Sequence, residues 1–240
     1  MKHTMSKIIL MFCAAAVGFS GWQLYRYYND IHAASDSVSN MLAPVKAETV
    51  VLTSPVSYSE MSSKYEDYRG WIWFSSNLIS LPIVQGNDNY TYLQNNLDQE
   101  KSLGGIPLID AADSLTDQNI TIYGHAVFTE DSSLVFTPLQ QLVNQDTYSK
   151  NKRFFIDWAE GIKTYEIYAV CNIDRSKDDW NYTQNIFQTD QDFYAFIHNA
   201  KDRSSIYSDI DIAATDHLIT LQTCTELTSA ERTVVFAKEL

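Results

Sequence analysis

Eight short runs of β-branched and aromatic residues, set between turn signals, constrain this chain more than any other feature. In order they are "GWIWF", "LPIVQ", "GIPLID", "NITIYGH", "RFFIDW", "KTYEIYAVCNI", "DHLITLQTC" and "RTVVFAKEL". Residues of this kind fit a pleated, half-buried surface, and polar, Gly or Asn-containing turns separate most of the runs. Eight strands so arranged suit a closed barrel or a sandwich better than an α/β sheet, so the fold class is mainly β. Two helical inserts interrupt the series. "LVFTPLQQLVN" follows the fourth run, and "DQDFYAFIHNAKD" falls between the sixth and seventh, with Phe193, Phe196 and Ile197 on one face. Before the first strand, "YSEMSSKYEDYRGWIWF" begins helical and breaks at Gly70. There is no internal repeat.

The chain has 240 residues, of which 45% are hydrophobic and 13% aromatic, enough to pack one sizeable domain with a terminal extension. Seventeen basic against thirty acidic residues leave a net charge of −13, which argues against nucleic acid as a partner. The cysteines are Cys13, Cys171 and Cys224. None forms a CxxC pair, so the spacing supports neither a zinc site nor a thioredoxin-like motif. Cys171, inside the β-rich "YEIYAVCNI", reads as a plain buried thiol.

The first 29 residues read as a membrane anchor. No charge occurs from Ile8 through Tyr25, Lys2 and Lys7 precede the run, Arg26 follows it, and Trp22, Tyr25, Tyr27 and Tyr28 crowd its far end. Eighteen uncharged residues just suffice for a helix to cross the hydrocarbon. The leading lysines favour a cytoplasmic N-terminus and an extracellular body, and the aromatics fit an interfacial belt. A cleaved signal peptide ending near "HAAS" is the competing reading, and it exports the body equally well. Residues 30–57 follow as a helical stalk or linker and 58–240 as the folded domain.

Candidate chemistry gathers at two strand ends. Of the body histidines, His198 falls on the helical insert and His217 in a turn, whereas His125 closes "NITIYGH". Cys224 comes as "HLITLQTC" gives out, Gln222 precedes it on the same strand face, and Arg232 opens the last run after the loop "TELTSAE". A hairpin here returns a guanidinium to a thiol. A free thiol has a pKa near ~8.5, and a neighbouring cation favours the nucleophilic thiolate. An imidazole can protonate a departing amine, and a fixed guanidinium can stabilise an oxyanion. Cysteine, histidine and arginine together therefore suggest acyl transfer at an amide. Each also has an ordinary reading as buried filler, turn or solvated edge. A non-enzymatic exported binding domain, which keeps the barrel without needing Cys224, stays open beside the enzyme.

The residues that carry this chemistry resemble the sortases, the cysteine transpeptidases of Gram-positive bacteria. The matching motifs are Gly124-His125, Thr220-Leu221-Gln222-Thr223-Cys224 and Arg232. Gly70-Trp71-Ile72, Pro82-Ile83-Val84-Gln85 and the segment Asp88-Asn89-Tyr90-Thr91-Tyr92-Leu93 are similar to class B in particular. The resemblance implies an eight-stranded sortase-type β-barrel with N-terminal helices and a helix inserted between strands 6 and 7. It implies cleavage of a C-terminal sorting motif after threonine through a thioester, then transfer to an amine. Implied partners are a surface protein or pilin bearing the motif and an amine from a peptidoglycan precursor or a pilin lysine. No metal or organic cofactor is implied. Cys224 corresponds to the nucleophile, His125 to the general acid/base and Arg232 to the oxyanion stabiliser. Asn89, Leu93, Tyr182, Gln222 and Thr223 correspond to the peptide groove, the Thr225 backbone N–H to a second oxyanion donor, and Glu226 to a supporting acid. Three departures bear on the substrate motif: "GIPLID" replaces a more usual Gly-Ser-Ile-Phe-x-Asp, "YGHAVF" lacks a polar residue after His125, and Gln222 replaces a small side chain.

Overall fold

The computed structural model describes residues 16–30, 52–127, 134–224 and 230–240, with Cys224 described through its backbone. All eight expected strands form. They are β1 (Tyr68–Trp73), β2 (Ser80–Val84), β3 (Leu108–Ile109), β4 (Asn119–Tyr123), β5 (Arg153–Trp158), β6 (Gly161–Asp174), β7 (Leu218–Cys224) and β8 (Glu231–Glu239). They close into a barrel in the order β1-β2-β3-β4-β7-β8-β6-β5. Two neighbours run parallel, β2 with β3 and β4 with β7, and the other pairs are antiparallel. Pro82 lies in mid-β2, where the only pairing to β3 is Val84 with Leu108, so its missing N–H costs no ladder bond.

The helices are α1 (residues 16–30), α2 (Tyr58–Lys64), α3 (Thr91–Gln94), α4 (Gln145–Lys150) and α5 (Asp190–Asp202), with a 3₁₀ helix at Thr137–Val143. The helix expected over "LVFTPLQQLVN" is thus the 3₁₀ helix alone, and α4 follows it as a separate short element. Asn144 divides them, its side chain accepting from the Asp146 and Thr147 N–H groups to start α4. Likewise α2 stops at Lys64, before Gly70, because Tyr65 already has extended backbone and Tyr68 is buried as the first residue of β1. The expected stalk, 30–57, falls mostly outside the described residues.

Apolar side chains pack in two main layers. The barrel interior holds Ile72, Ile83, Ile122, Phe136, Phe154, Ile219, Leu221 and Val235 among others. A second layer lies on the outer face of β6, β7 and β8 beneath α5, with Tyr168, Trp180, Phe193, Phe196, Leu218 and Phe236. β6 serves both layers through a register shift between Ile167 and Ala169. Ile167 and Val170 therefore face inward, while Tyr168, Ala169 and Cys171 face α5. Phe193, Phe196, Ile197 and Ala200 form the buried stripe of α5, and Thr189 caps it by accepting from the Asp192 N–H at 3.1 Å. Cys171 is fully buried, its thiol donates to the Ala200 carbonyl, and burial pushes its pKa up to about 12. It is an inert packing residue.

Candidate active site

Pairing of β4, β7 and β8 sets one row of residues across the sheet. β4 and β7 run parallel with Tyr123 opposite Gln222, so both chains leave the barrel at the same end. β7 and β8 form the expected hairpin, with Cys224 opposite Arg232. The Gly124 N–H still donates to the Gln222 carbonyl at 3.0 Å, which holds the chain beside β7 as it enters His125. His125, Cys224 and Arg232 are thereby carried by three adjacent chains at one rim. Arg232 is half-buried and donates to the Glu231 carbonyl at 2.9 Å.

His125 is held from both sides. A Cβ on Gly124 would lie 2.5 Å from the Phe136 ring, so only glycine lets that ring close over the end of β4. The His125 carbonyl accepts from the Phe136 N–H at 3.0 Å. On the other side the imidazole meets the backbone of Leu93 in α3. Burial lowers the imidazole pKa below its ordinary value, and the hydrogen bond to Leu93 offsets part of that shift. The resting imidazole is therefore neutral near pH 7. α3 in turn rests on Gly105, whose φ is +58° and where a Cβ would fall 2.5 Å from the Tyr92 oxygen. Asp88 starts this short helix, accepting from the Tyr90 and Thr91 N–H groups at 2.8 and 2.7 Å.

Beside the rim, Tyr182 donates its hydroxyl proton to Gln222 Oε1 at 2.7 Å. Tyr182 is only 2% exposed. The loop carrying it is clamped to α5: Arg203 pairs with Asp178 at 2.7 Å and lies over the Trp180 ring, while Arg175 lies over Tyr182 itself. Gln222 is half-buried, and its Nε2 hydrogens meet no acceptor among the described residues. Across β4, Tyr123 donates to Asp110, and Asp110 also accepts from Asn89. Burial pushes the Asp110 carboxyl up, but bonds from Tyr123, Ala112 and Asn89 outweigh it and hold the group below the usual carboxylate range. Next to it, burial raises Asp113 to about 7, opposed by the Thr121 N–H and reinforced by Asp110 and Asp117.

Residues 75–240 match the family described as Sortase domain, and the chain is 30% identical to sortase B of Staphylococcus aureus over 177 residues, 72% of this chain and 70% of that protein. The chain belongs to the sortases, in class B. The solved Clostridium perfringens sortase B superposes with a TM-score of 0.70 at 30% identity, covering 77% of this chain and all of that one (100%). The Staphylococcus aureus sortase B–substrate complex gives 0.69 at 28% identity, covering 76% of this chain and 84% of that one. This sortase is accordingly a cysteine transpeptidase that acts on surface proteins, and the binding-module reading falls away.

The sequence-predicted residues of this sortase divide into three groups. His125, Arg232, Gln222, Tyr182 and Leu93 lie at or beside one rim, with the backbone of Cys224 among them. Asn89 joins them through Asp110. Thr223 faces the other way: it is fully buried with no hydroxyl partner, so only its backbone is available to a peptide. Thr225 and Glu226 lie outside the described residues. His198 and His217 are exposed and remote from the row, on α5 and in the turn before β7. Sequence reading passed over Asp110 and Tyr123; the one available signal was Tyr123 standing two residues before His125 on the same strand face.

Proposed function

We propose that Cys224 is the nucleophile, His125 the proton carrier and Arg232 the oxyanion stabiliser of this transpeptidase. The observation that carries the reading is the row of three adjacent chains ending at one rim, with Cys224 paired to Arg232 and β4 parallel to β7. The thiol sulfur attacks the carbonyl carbon of the threonine in a C-terminal sorting motif. The thiol proton passes to neutral His125 and on to the departing amine nitrogen as the C–N bond breaks, leaving a thioester. An incoming amine then attacks the thioester, its proton returns through His125, and the thiol is regenerated. Arg232 and the Thr225 N–H stabilise the oxyanion in both steps. Asn89, Leu93, Tyr182 and Gln222 line the peptide groove, Thr223 contributes its backbone, and Glu226 supports the loop. The acceptor is a cell-wall cross-bridge amine or a pilin lysine.

The body is anchored through its first 29 residues, with the N-terminus cytoplasmic, residues 30–57 as a stalk and 58–240 as the extracellular catalytic domain. Among the described residues no helix is long and apolar enough to cross a membrane, and residues 8–15 of the expected span lie outside them. Support comes from Lys2 and Lys7 and from the exposure of Val17, Phe19, Trp22 and Leu24 on α1. Peptide transpeptidation by single histidine variants tests the chemistry. His125→Ala should abolish turnover, while His198→Ala and His217→Ala retain it. Full activity of the His125 variant would remove that residue from the mechanism.

A further inference from the structure

Asp110 follows β3 and gathers hydrogen bonds from three separate parts of the chain. Its Oδ1 accepts from Asn89 Nδ2 and from the Ala112 N–H, each at 3.0 Å, and its Oδ2 accepts from the Tyr123 hydroxyl at 2.5 Å. Asn89 Oδ1 accepts from the Ala111 N–H at 2.7 Å, so the same turn grips both ends of the Asn89 carboxamide. Gln85 secures the turn from behind, donating to the carbonyls of Asp110 at 3.1 Å and Asp113 at 2.8 Å.

A carboxylate only accepts, so Asn89 and Tyr123 must both aim hydrogens at it, and Asn89 cannot reverse its amide without placing oxygen against oxygen. One Nδ2 hydrogen of Asn89 is left without an acceptor among the described residues. The location is close to the chemistry. Tyr123 stands two residues before His125, about 7 Å along an extended chain, and Leu93, in the helix after Asn89, meets His125 through its backbone. The geometry points to Asp110 as a positioning residue for peptide recognition: it fixes the Asn89 carboxamide so that an N–H faces a backbone or side-chain carbonyl of the sorting motif. This rests on the placement of Asn89 in the groove proposed above.

The test is steady-state transpeptidation of a sorting peptide by Asn89→Ala, Asp110→Leu and the double variant, with Tm measured for each. Asp110→Leu keeps the size but accepts no hydrogen bond, so the Asn89 carboxamide loses its hold, whereas an Asn there could still accept from Asn89 and donate to the Tyr123 oxygen. Each single change should raise KM by roughly 10-fold, the scale of one hydrogen bond, with kcat within about 2-fold. The double variant should be no worse than either, because Asp110 acts through Asn89. Asp110→Ser, which removes the carboxylate without placing an apolar side chain in the polar turn, guards against a folding failure and should show the same KM effect. A lowered Tm with unchanged KM in the Asp110 variants, or losses that multiply in the double variant, would reduce Asp110 to a structural role. If Asn89→Ala alone left KM unchanged, the groove placement of Asn89 would be what fails, and the inference would fall with it.

Discussion

Replacing Gly105 by alanine should perturb His125, the proposed proton carrier, from a distance. Gly105 has φ of +58°, where an L-residue costs about 1–2 kcal/mol. The new Cβ would also lie 2.5 Å from the Tyr92 oxygen and 2.6 Å from the carbonyl carbon and oxygen of Leu93. Those are backbone atoms of α3, not the far end of a flexible side chain, so α3 must shift as a body. With strain and clash together, a loss of about 2–4 kcal/mol is expected. Because the Leu93 backbone bonds to the His125 ring and raises its pKa, a shifted α3 leaves burial unopposed. The imidazole pKa then falls further, and the acidic limb of kcat/KM against pH moves to lower pH. The assay is a thermal melt with a pH–rate profile on a sorting peptide, measured well below Tm. A variant with wild-type Tm and an unmoved acidic limb would refute the linkage from Gly105 through α3 to His125.

Tyr182→Phe keeps the buried ring but drops the bond to Gln222 at 2.7 Å, so it should lower kcat/KM about 3- to 10-fold at nearly unchanged Tm, whereas Tyr182→Ala, which empties a buried site, should cost about 3–5 kcal/mol of stability. Arg232→Lys keeps the charge but loses the planar fork, and kinetics should place it nearly as low as Arg232→Ala, roughly 10²–10³-fold below wild type. Asp113 has its folded pKa raised to about 7 by burial, so its ionisation costs stability as pH rises through the window from 3.8 to about 7. Asp113→Asn, whose carbonyl still accepts from the Thr121 N–H, should raise Tm at pH 8 and give no gain at pH 4.

Much of this was legible in the sequence because it depends on local period and chain order. The alternation in Leu218–Cys224, the Gly-His closing β4 and the arginine opening β8 are enough to propose the row, and a hairpin delivers it. The aromatic stripe of α5 was equally visible from Phe193, Phe196 and Ile197. What stayed hidden depends on contacts distant in sequence. Asp110 meets Asn89 across 21 residues and Tyr123 across 13, and no pattern in any one segment announces that. The inward burial of Tyr182 follows from Arg203 clamping Asp178 and Trp180 from the end of α5. The register shift in β6 sends Tyr168 and Ala169 to the same layer, against simple alternation. Thr223 was placed in the groove with the residues the resemblance implied, although period 2 puts it on the opposite face with Ile219 and Leu221.

The central claim is that Cys224 forms a thioester with the threonine of a sorting motif, and mass spectrometry of the intact enzyme tests it most directly. Incubated with a panel of sorting peptides in the absence of an amine acceptor, wild-type enzyme should gain the mass of the peptide up to and including its threonine, mapped to Cys224 and released by hydroxylamine. Cys224→Ala should gain nothing. An adduct of the same mass on Cys224→Ala, or turnover of peptide by that variant, would contradict the account.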